Sequence, residues 1–279
     1  MIKIMKSNIT EYATYLAEQE KSVATIEKYI RDITAFTDWL GDKPADKLTV
    51  LKYKDSLVEK LAPASVNSVI SSLNGFFVYN GWYTLKIRVL KIQKQIFARS
   101  DKELTKDEYQ RLVDAAKRKG NEKLSLLMQT ICSTGIRVSE LKYITVESIR
   151  REQSDISLKG KMRVVIIPKS LCRMLLSYAK RQKITSGPIF VTKKGTPLDR
   201  SNIWKLMKAL CESANVPKNK VFPHNLRHLF ARTFYSIRKD IVRLADILGH
   251  TSVNTTRIYT METGEIHRRQ IQNLGLLRC

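Results

Sequence analysis

The side chains with chemical potential fall in four short stretches. Arg137 and Glu140 lie in Ser133-Thr134-Gly135-Ile136-Arg137-Val138-Ser139-Glu140-Leu141. Lys159 and Lys161 flank Gly160. His224, Arg227 and His228 follow Pro223. His250 follows Leu248-Gly249, and Tyr259 comes nine residues after it. Each stretch alone has an ordinary explanation. Arginine and glutamate three apart on a helix form a routine surface ion pair. Glycine and lysine suit a hairpin turn. His224 and His228 have the i, i+4 spacing of zinc ligands, but the glutamate of H-E-x-x-H is missing and no third ligand lies nearby, so a structural pair is the default. A tyrosine near a helix start is usually packing. Taken together, the types describe phosphate chemistry. Two guanidiniums can fork the non-bridging oxygens of a phosphodiester. Histidines can add hydrogen bonds and move protons. A lysine can protonate a leaving alkoxide, and a tyrosine hydroxyl can attack phosphorus and hold the product covalently. Three of the four histidines fall in these stretches, a concentration that packing does not explain.

Such a set needs elements to hold it. Ile26, Tyr29, Ile30, Ile33, Phe36, Trp39 and Leu40 recur at helical spacing after Ser22, and Gly41-Asp42-Lys43-Pro44 ends that helix. Pro63 opens another helix, which Asn80-Gly81 stops. Residues 8–82 therefore read as a bundle of about four helices. Residues 85–92 alternate with nearly period two and carry Lys86, Arg88 and Lys91, with Lys94 just beyond. This basic segment fits an edge strand and a linker crossing a phosphate backbone equally well. Thr105 with Glu108 forms a capping box that restarts helix. Beyond it, Ile156-Ser157-Leu158 and Arg163-Val164-Val165-Ile166-Ile167 predict a β-hairpin with Lys159-Gly160-Lys161 at its tip. Ile189-Phe190-Val191 predicts a further short strand. Helices are predicted near 201–213, 224–237, 240–248 and 265–274. Asn254 or Thr255 is the predicted cap of a short helix bearing Tyr259. The fold class is mainly α with a small β-hairpin in the C-terminal part. The expected domains are 1–84, a basic linker 85–103, and 104–279.

The chain has 279 residues, enough for two ordinary domains. Fifty Lys+Arg against 26 Asp+Glu give a net charge of +24. Most of that excess lies after residue 100. A surface of this sign points to a polyanion, and nucleic acid is the commonest large one. No basic amphipathic helix or lipidation motif points to a membrane instead. The four cysteines are scattered and form no C-x-x-C pair. No apolar run approaches the ~20 residues that span a bilayer, and Met1-Ile2-Lys3-Ile4-Met5-Lys6 lacks the core of a secretion signal. The expected location is the cytoplasm.

The ordered set resembles the tyrosine recombinases of the phage-integrase and Xer type, and the match runs nearly the whole length. Ser133–Leu141 is similar to the family's first-arginine box, His224-Asn225-Leu226-Arg227-His228 to its H-x-x-R box, and Leu248-Gly249-His250-Thr251 to its third box. Ser22-Val23-Ala24-Thr25, Tyr29, Phe36 and Trp39-Leu40 resemble its helical core-binding domain. The resemblance implies catalytic roles for Arg137, Lys159, His224, Arg227, His250 and the nucleophile Tyr259, with Glu140 in support. The family's hairpin run is one residue longer and has glycine where Leu158 stands. The resemblance places the general acid at Lys159, and this departure leaves Lys161 open as the alternative.

The resemblance further implies site-specific cutting and rejoining of double-stranded DNA through a 3′-phosphotyrosine, with no metal or other cofactor. It implies a C-shaped clamp on the duplex, with DNA contacts from Lys86, Arg88, Lys91, Lys94, Lys161 and Arg163. Ser201, Asn202 and Lys205 are the expected groove contacts. The apolar tail 266–279 could pack on its own domain; the resemblance implies docking on a neighbouring subunit in a DNA-bound tetramer. A type IB topoisomerase shares the chemistry but would show less of the N-terminal domain. A non-catalytic DNA-binding regulator would lack one of the six catalytic positions, and none is missing. A metal-dependent nuclease would need clustered carboxylates, whereas these are scattered.

Overall fold

The apolar periodicity of the first eighty residues folds into four helices: α1 (Lys6–Glu18), α2 (Val23–Leu40), α3 (Lys47–Lys60) and α4 (Pro63–Tyr79). The structure is a computed structural model that describes residues 2–92, 100–158, 161–192, 194–260 and 272–274. It divides into two units, residues 1–94 and 95–279. In the first unit, Ile33 and Phe36 of α2 bury against Val50 of α3 and Val66, Ile70, Phe76 and Phe77 of α4. Asp46 caps α3 by accepting from Thr49 N at 2.7 Å. Pro63 sits in the first turn of α4, where its missing N–H costs nothing.

The alternating segment 85–92 forms no strand: Leu85 closes a 3-10 turn (Tyr83–Leu85), and residues 86–92 have no regular structure and no strand partner among the described residues. Leu85 and Ile87 bury in the bundle core, and two asparagines seven apart on α4 replace the partner strand. Asn74 accepts from Ile87 N at 3.0 Å and donates to Ile87 O at 2.8 Å. Asn67 does the same for Leu90, at 2.7 and 2.9 Å. A side-chain amide has the donor and acceptor of a peptide group. The asparagines thus pair the backbone of Ile87 and Leu90, and Lys86, Arg88 and Lys91 stay exposed. Lys94 lies outside the described residues.

The second unit is built around α6 (Glu122–Thr134). Leu124, Leu126, Leu127, Met128 and Ile131 are all buried there, the pattern of a helix covered on every side. Around it stand α5 (Lys106–Arg118), α8 (Lys169–Arg181), α9 (Arg200–Lys208) and α10 (Pro223–Arg238). The Thr105–Glu108 capping box starts α5 as predicted. Between α6 and α8 come a 3-10 helix (Val138–Tyr143), the short α7 (Val146–Arg150) and the hairpin β1 (Gln153–Leu158) and β2 (Lys161–Ile166). The two strands pair antiparallel with Leu158 opposite Lys161. Lys161 is therefore a strand residue rather than part of the tip, and its side chain is outside the description. Lys159 and Gly160 also lie outside the described residues.

Three predicted features differ. Residues 189–191 form no strand, although Ile189 and Phe190 are buried. The chain there makes only isolated bridges, Thr145 to Pro188 and Val191 to Pro197, because proline has no N–H to extend a ladder. Helix α9 ends at Lys208, and turns continue to Asn215. The chain ends its described core with α11 (Ile241–Leu248), α12 (Val253–Thr256) and a 3-10 turn, Arg257–Tyr259. The cap of α12 is Ser252, which accepts from Asn254 N at 3.2 Å, not Asn254 or Thr255. Of the helix predicted at 265–274, and of the tail as a whole, only residues 272–274 are described.

Helix α6 stops at Gly135, which is left-handed (φ +64°). A Cβ there would stand 2.5 Å from Cδ1 of Phe230. Gly135→Ala is expected to lose about 2–4 kcal/mol, combining left-handed strain with overpacking. A urea midpoint unchanged from wild type would contradict this.

Candidate active site

Three chain reversals deliver the functional side chains to one place. At the first, Gly135 turns α6 into the 3-10 helix, and Arg137 becomes its N-cap. Glu140 holds that arginine twice. It accepts from Arg137 N at 2.8 Å and from Nη1 at 2.9 Å. Both the direction of the side chain and its backbone are thereby fixed. The second is the start of α10, where Pro223 opens the helix and His224, Arg227 and His228 fall within its first two turns. The third is the end of α11. Gly249 is left-handed, His250 follows at once, and the Ser252-capped turn carries the chain to Tyr259.

Arg227 is the centre of the assembly and is only 2 % exposed. Its Nη1 donates to Gly135 O, and its Nη2 donates to Leu248 O at 2.7 Å. Nη2 also stands 3.1 Å from His250 Nε2. A guanidinium can only donate, so that imidazole nitrogen accepts. The proton of neutral His250 then sits on Nδ1, which donates to Thr256 Oγ1 at 2.8 Å. Arg137 reaches the same turn, with Nη2 3.3 Å from Gly249 O. His224 and His228 pack edge-on with ring centroids 4.4 Å apart, and His228 stands edge-on to Tyr259 at 4.8 Å. His250 lies nearly parallel to Tyr259 at 6.1 Å. A cleft lined by Arg137, Glu140, Arg163, His250 and Thr251 opens beside them.

The electrostatics follow from burial among arginines. Burial, reinforced by Arg227 and Arg137, pushes His250 down to about 4. Burial beside His224 and Arg232 does the same to His228, also to about 4. His224 is lowered by burial and by Arg227. All three are neutral at pH 7. Burial raises the Tyr259 phenol, partly offset by Arg227 and Arg137, so its hydroxyl keeps its proton at rest. Burial would raise Glu140, but Arg137 N–H and the guanidiniums of Arg163 and Arg137 outweigh it and hold the carboxylate ionised. Arg227 is lowered by burial to about 10 and stays charged.

The depressed histidines carry a stability consequence. The unfolded chain takes up protons near the ordinary value of 6.5 that the folded chain refuses until about 4. Their contribution to stability is whole above 6.5 and is lost as pH falls towards 4. The thermal midpoint is expected to drop between pH 7 and pH 5, and His228→Phe should flatten that slope. Equal midpoints at the two pH values in wild type would refute it.

Of the predicted catalytic set, the structure brings together Arg137, His224, Arg227, His250 and Tyr259, with Glu140 in support; Lys159 lies outside the described residues. Ser201, Asn202 and Lys205 lie on the exposed face of α9. Lys86, Arg88 and Lys91 belong to the first unit. Arg163, predicted as a DNA contact, lines the cleft and pairs with Glu140 at 2.5 Å. His228 and Thr256 had no assigned role. The i, i+4 spacing from His224 was a signal for the first. Nothing in the sequence signals Thr256, because its contact depends on how the turn after His250 folds back.

Residues 102–265 match the phage integrase family, and residues 9–82 match the phage integrase N-terminal SAM-like domain. The tyrosine recombinase XerA of Pyrococcus furiosus is 30% identical over 99% of this chain and 96% of its own length. XerA of Pyrococcus horikoshii is 32% identical, also over 99% of this chain and 96% of its own. Among solved structures, a lambda integrase (75–356) dimer bound to a COC′ core site shares the fold, with TM-score 0.75, 20% identity, and coverage of 93% of this chain and 96% of that one. XerH bound to its difH substrate in a pre-cleavage complex does so at TM-score 0.71 and 18% identity, covering 97% of this chain and 85% of that one. On the family matches and these relatives, the chain belongs to the phage integrase family, the tyrosine recombinases.

Proposed function

We propose that this tyrosine recombinase cuts and rejoins double-stranded DNA at a specific site, with Tyr259 as nucleophile and Arg137 and Arg227 as the clamp on the scissile phosphate. The observation that carries the reading is Arg227. It is buried and charged, its hydrogen bonds go to two carbonyls and an imidazole, and among the described residues it forms no ion pair. A buried cation without a counter-ion is costly and is a ready receptor for an anion. Tyr259 lies beside it.

In the proposed step, the Tyr259 oxygen attacks phosphorus and its proton passes to a neutral histidine. His224 is the candidate, since His250 Nε2 is occupied by Arg227. The bond from phosphorus to the 5′-oxygen breaks, and that oxygen takes a proton from the hairpin lysine, Lys159 or Lys161. The product is a 3′-phosphotyrosine and a free 5′-hydroxyl. The ester keeps the phosphodiester's free energy, so a partner strand's 5′-hydroxyl can reverse the step without any high-energy cofactor. Positioning and charge stabilisation supply most of the rate in such transfers.

Lys86, Arg88, Lys91 and Lys94, with Ser201, Asn202 and Lys205, are the proposed duplex contacts, and residues 85–103 the proposed connection between the two DNA-binding parts. Self-association on DNA fits the lambda integrase tetramer bound to a Holliday junction, and the tail beyond residue 266 is the proposed subunit contact. No helix among the described residues is long and apolar enough to cross a membrane, and the cytoplasm is the proposed location. The N-terminal match over residues 9–82 favours a recombinase over a DNA-relaxing enzyme. The test is to mix the protein with fragmented genomic DNA, denature, recover covalent adducts and sequence the attached strand. One recurrent junction supports the reading. Adducts spread evenly over all sequences would favour a relaxing enzyme, and no adduct at all would refute it.

A further inference from the structure

We infer that Arg163 is a positioning residue that fixes the β1–β2 hairpin against the arginine clamp and so sets the reach of the hairpin lysine. The period of two along β2 explains why an arginine is there to do this. Met162, Val164 and Ile166 face outward and are exposed, while Val165 is buried on the inner face. Arg163 shares that inner face, and its side chain is only 12 % exposed. It must therefore find partners inside. Nη2 donates to Glu140 at 2.5 Å and Nη1 donates to Ile247 O at 2.6 Å. Its Cδ fills the space that a Cβ on Gly249 would take. The glycine of Leu248-Gly249-His250 thus serves its left-handed turn and the arginine lying on it. Nε of Arg163 is buried with no partner. Such a group is a cost, and Nη1 and Nη2 are each committed to a partner within the protein.

One carboxylate, Glu140, therefore joins three elements: the turn that carries Arg137, the hairpin, and through Arg163 the end of α11. Removing Arg163 leaves Glu140 with both of its bonds to Arg137. The clamp keeps its holder, while the hairpin loses its tie near the loop. Among the described residues its other side-chain hydrogen bonds to neighbouring elements, such as Ser154 to Tyr143 O and Tyr143 to Ser157 O, are on β1, and β2 keeps only the apolar packing of Val165. The defect should appear in protonation of the leaving oxygen and not in DNA binding. This rests on the proposed cleavage by Tyr259.

The test compares wild type, Arg163→Met and Arg163→Lys on two duplexes bearing the recovered junction. One has an ordinary scissile phosphodiester and the other a bridging 5′-phosphorothiolate. A thiolate leaves without help, since a thiol pKa is about 8.5, so this substrate needs no general acid. Arg163→Met should form adduct about 10- to 100-fold more slowly on the phosphodiester and near the wild-type rate on the phosphorothiolate, with unchanged DNA affinity. Arg163→Lys should recover part of the loss, because one ammonium can meet Glu140 or Ile247 O but not both. Amide hydrogen exchange without DNA should speed up in 153–166 for Arg163→Met and stay unchanged in α5 and α6. Equal slowing on both substrates, weakened DNA binding, or unchanged hairpin exchange would overturn the inference. Failure of wild type to form any adduct would count against the cleavage reading, and the exchange result would still decide the role of Arg163 in holding the hairpin.

Discussion

Tyr259→Phe is expected to bind DNA as wild type does and to form no covalent adduct. The separation is clean because the two properties reside in different atoms. The ring packs with Ala231, Leu244 and Leu248 and edge-on against His228, and phenylalanine keeps all of that. Tyr259 is 4 % exposed, so its own contribution to the binding surface is small. The hydroxyl is neutral in the resting enzyme, so removing it changes no charge and leaves long-range attraction to the duplex intact. Covalent catalysis has no such tolerance, because the ester needs that oxygen. Affinity should stay within about twofold, since the phosphate contacts that dominate binding are untouched. A denaturation-resistant adduct in Tyr259→Phe would remove Tyr259 from the role of nucleophile. Lost affinity without lost folding would mean the hydroxyl is itself a DNA contact.

Much of the site was legible because its signals are local. Glycine at 135 and 249 marks helix ends, proline at 223 marks a helix start, and an arginine three residues before a glutamate names a pair that forms at 2.9 Å. The helical bundle was legible for the same reason: apolar spacing over whole turns is a local pattern. What stayed hidden depends on contacts between distant segments. The segment 85–92 looked like a strand or a linker because alternation reports an extended, half-buried backbone and not its partner. The partners are Asn67 and Asn74, whose spacing on α4 carries no message until the segment lies across them. Val191 looked like a strand residue because proline at 188 and 197 does not alter its own hydropathy. For Arg163 the resemblance implies a DNA contact and carries no pairing register. Its register with Ile156 turns it inward, and a one-residue difference in loop length would have reversed that.

Arg227→Lys should reduce adduct formation by about 10²- to 10³-fold, the scale of losing an oxyanion ligand, while nonspecific DNA affinity and its salt dependence remain. The charge is kept, and the counterions released on binding are set by charge. What is lost is the fork. Arg227 spreads its donors over Gly135 O, Leu248 O and His250 Nε2 from one planar cation. A lysine ammonium is a point charge on a flexible stem and cannot bridge two carbonyls while facing a phosphate. One carbonyl would remain buried and unpaired, so the variant should also lose about 1–3 kcal/mol of stability. Arg137→Lys provides the contrast. That side chain is 38 % exposed, and water can replace its bonds to Glu140 and Gly249 O. Its rate should fall comparably with little change in unfolding midpoint. Single-turnover adduct formation and urea melts on the two variants separate the effects. An Arg227→Lys protein that cleaves at the wild-type rate would show that the buried guanidinium holds the fold and takes no part in the transition state. If Arg227→Lys instead fails in rate while Arg137→Lys does not, a single buried arginine carries the phosphate, and the exposed one only guides it in.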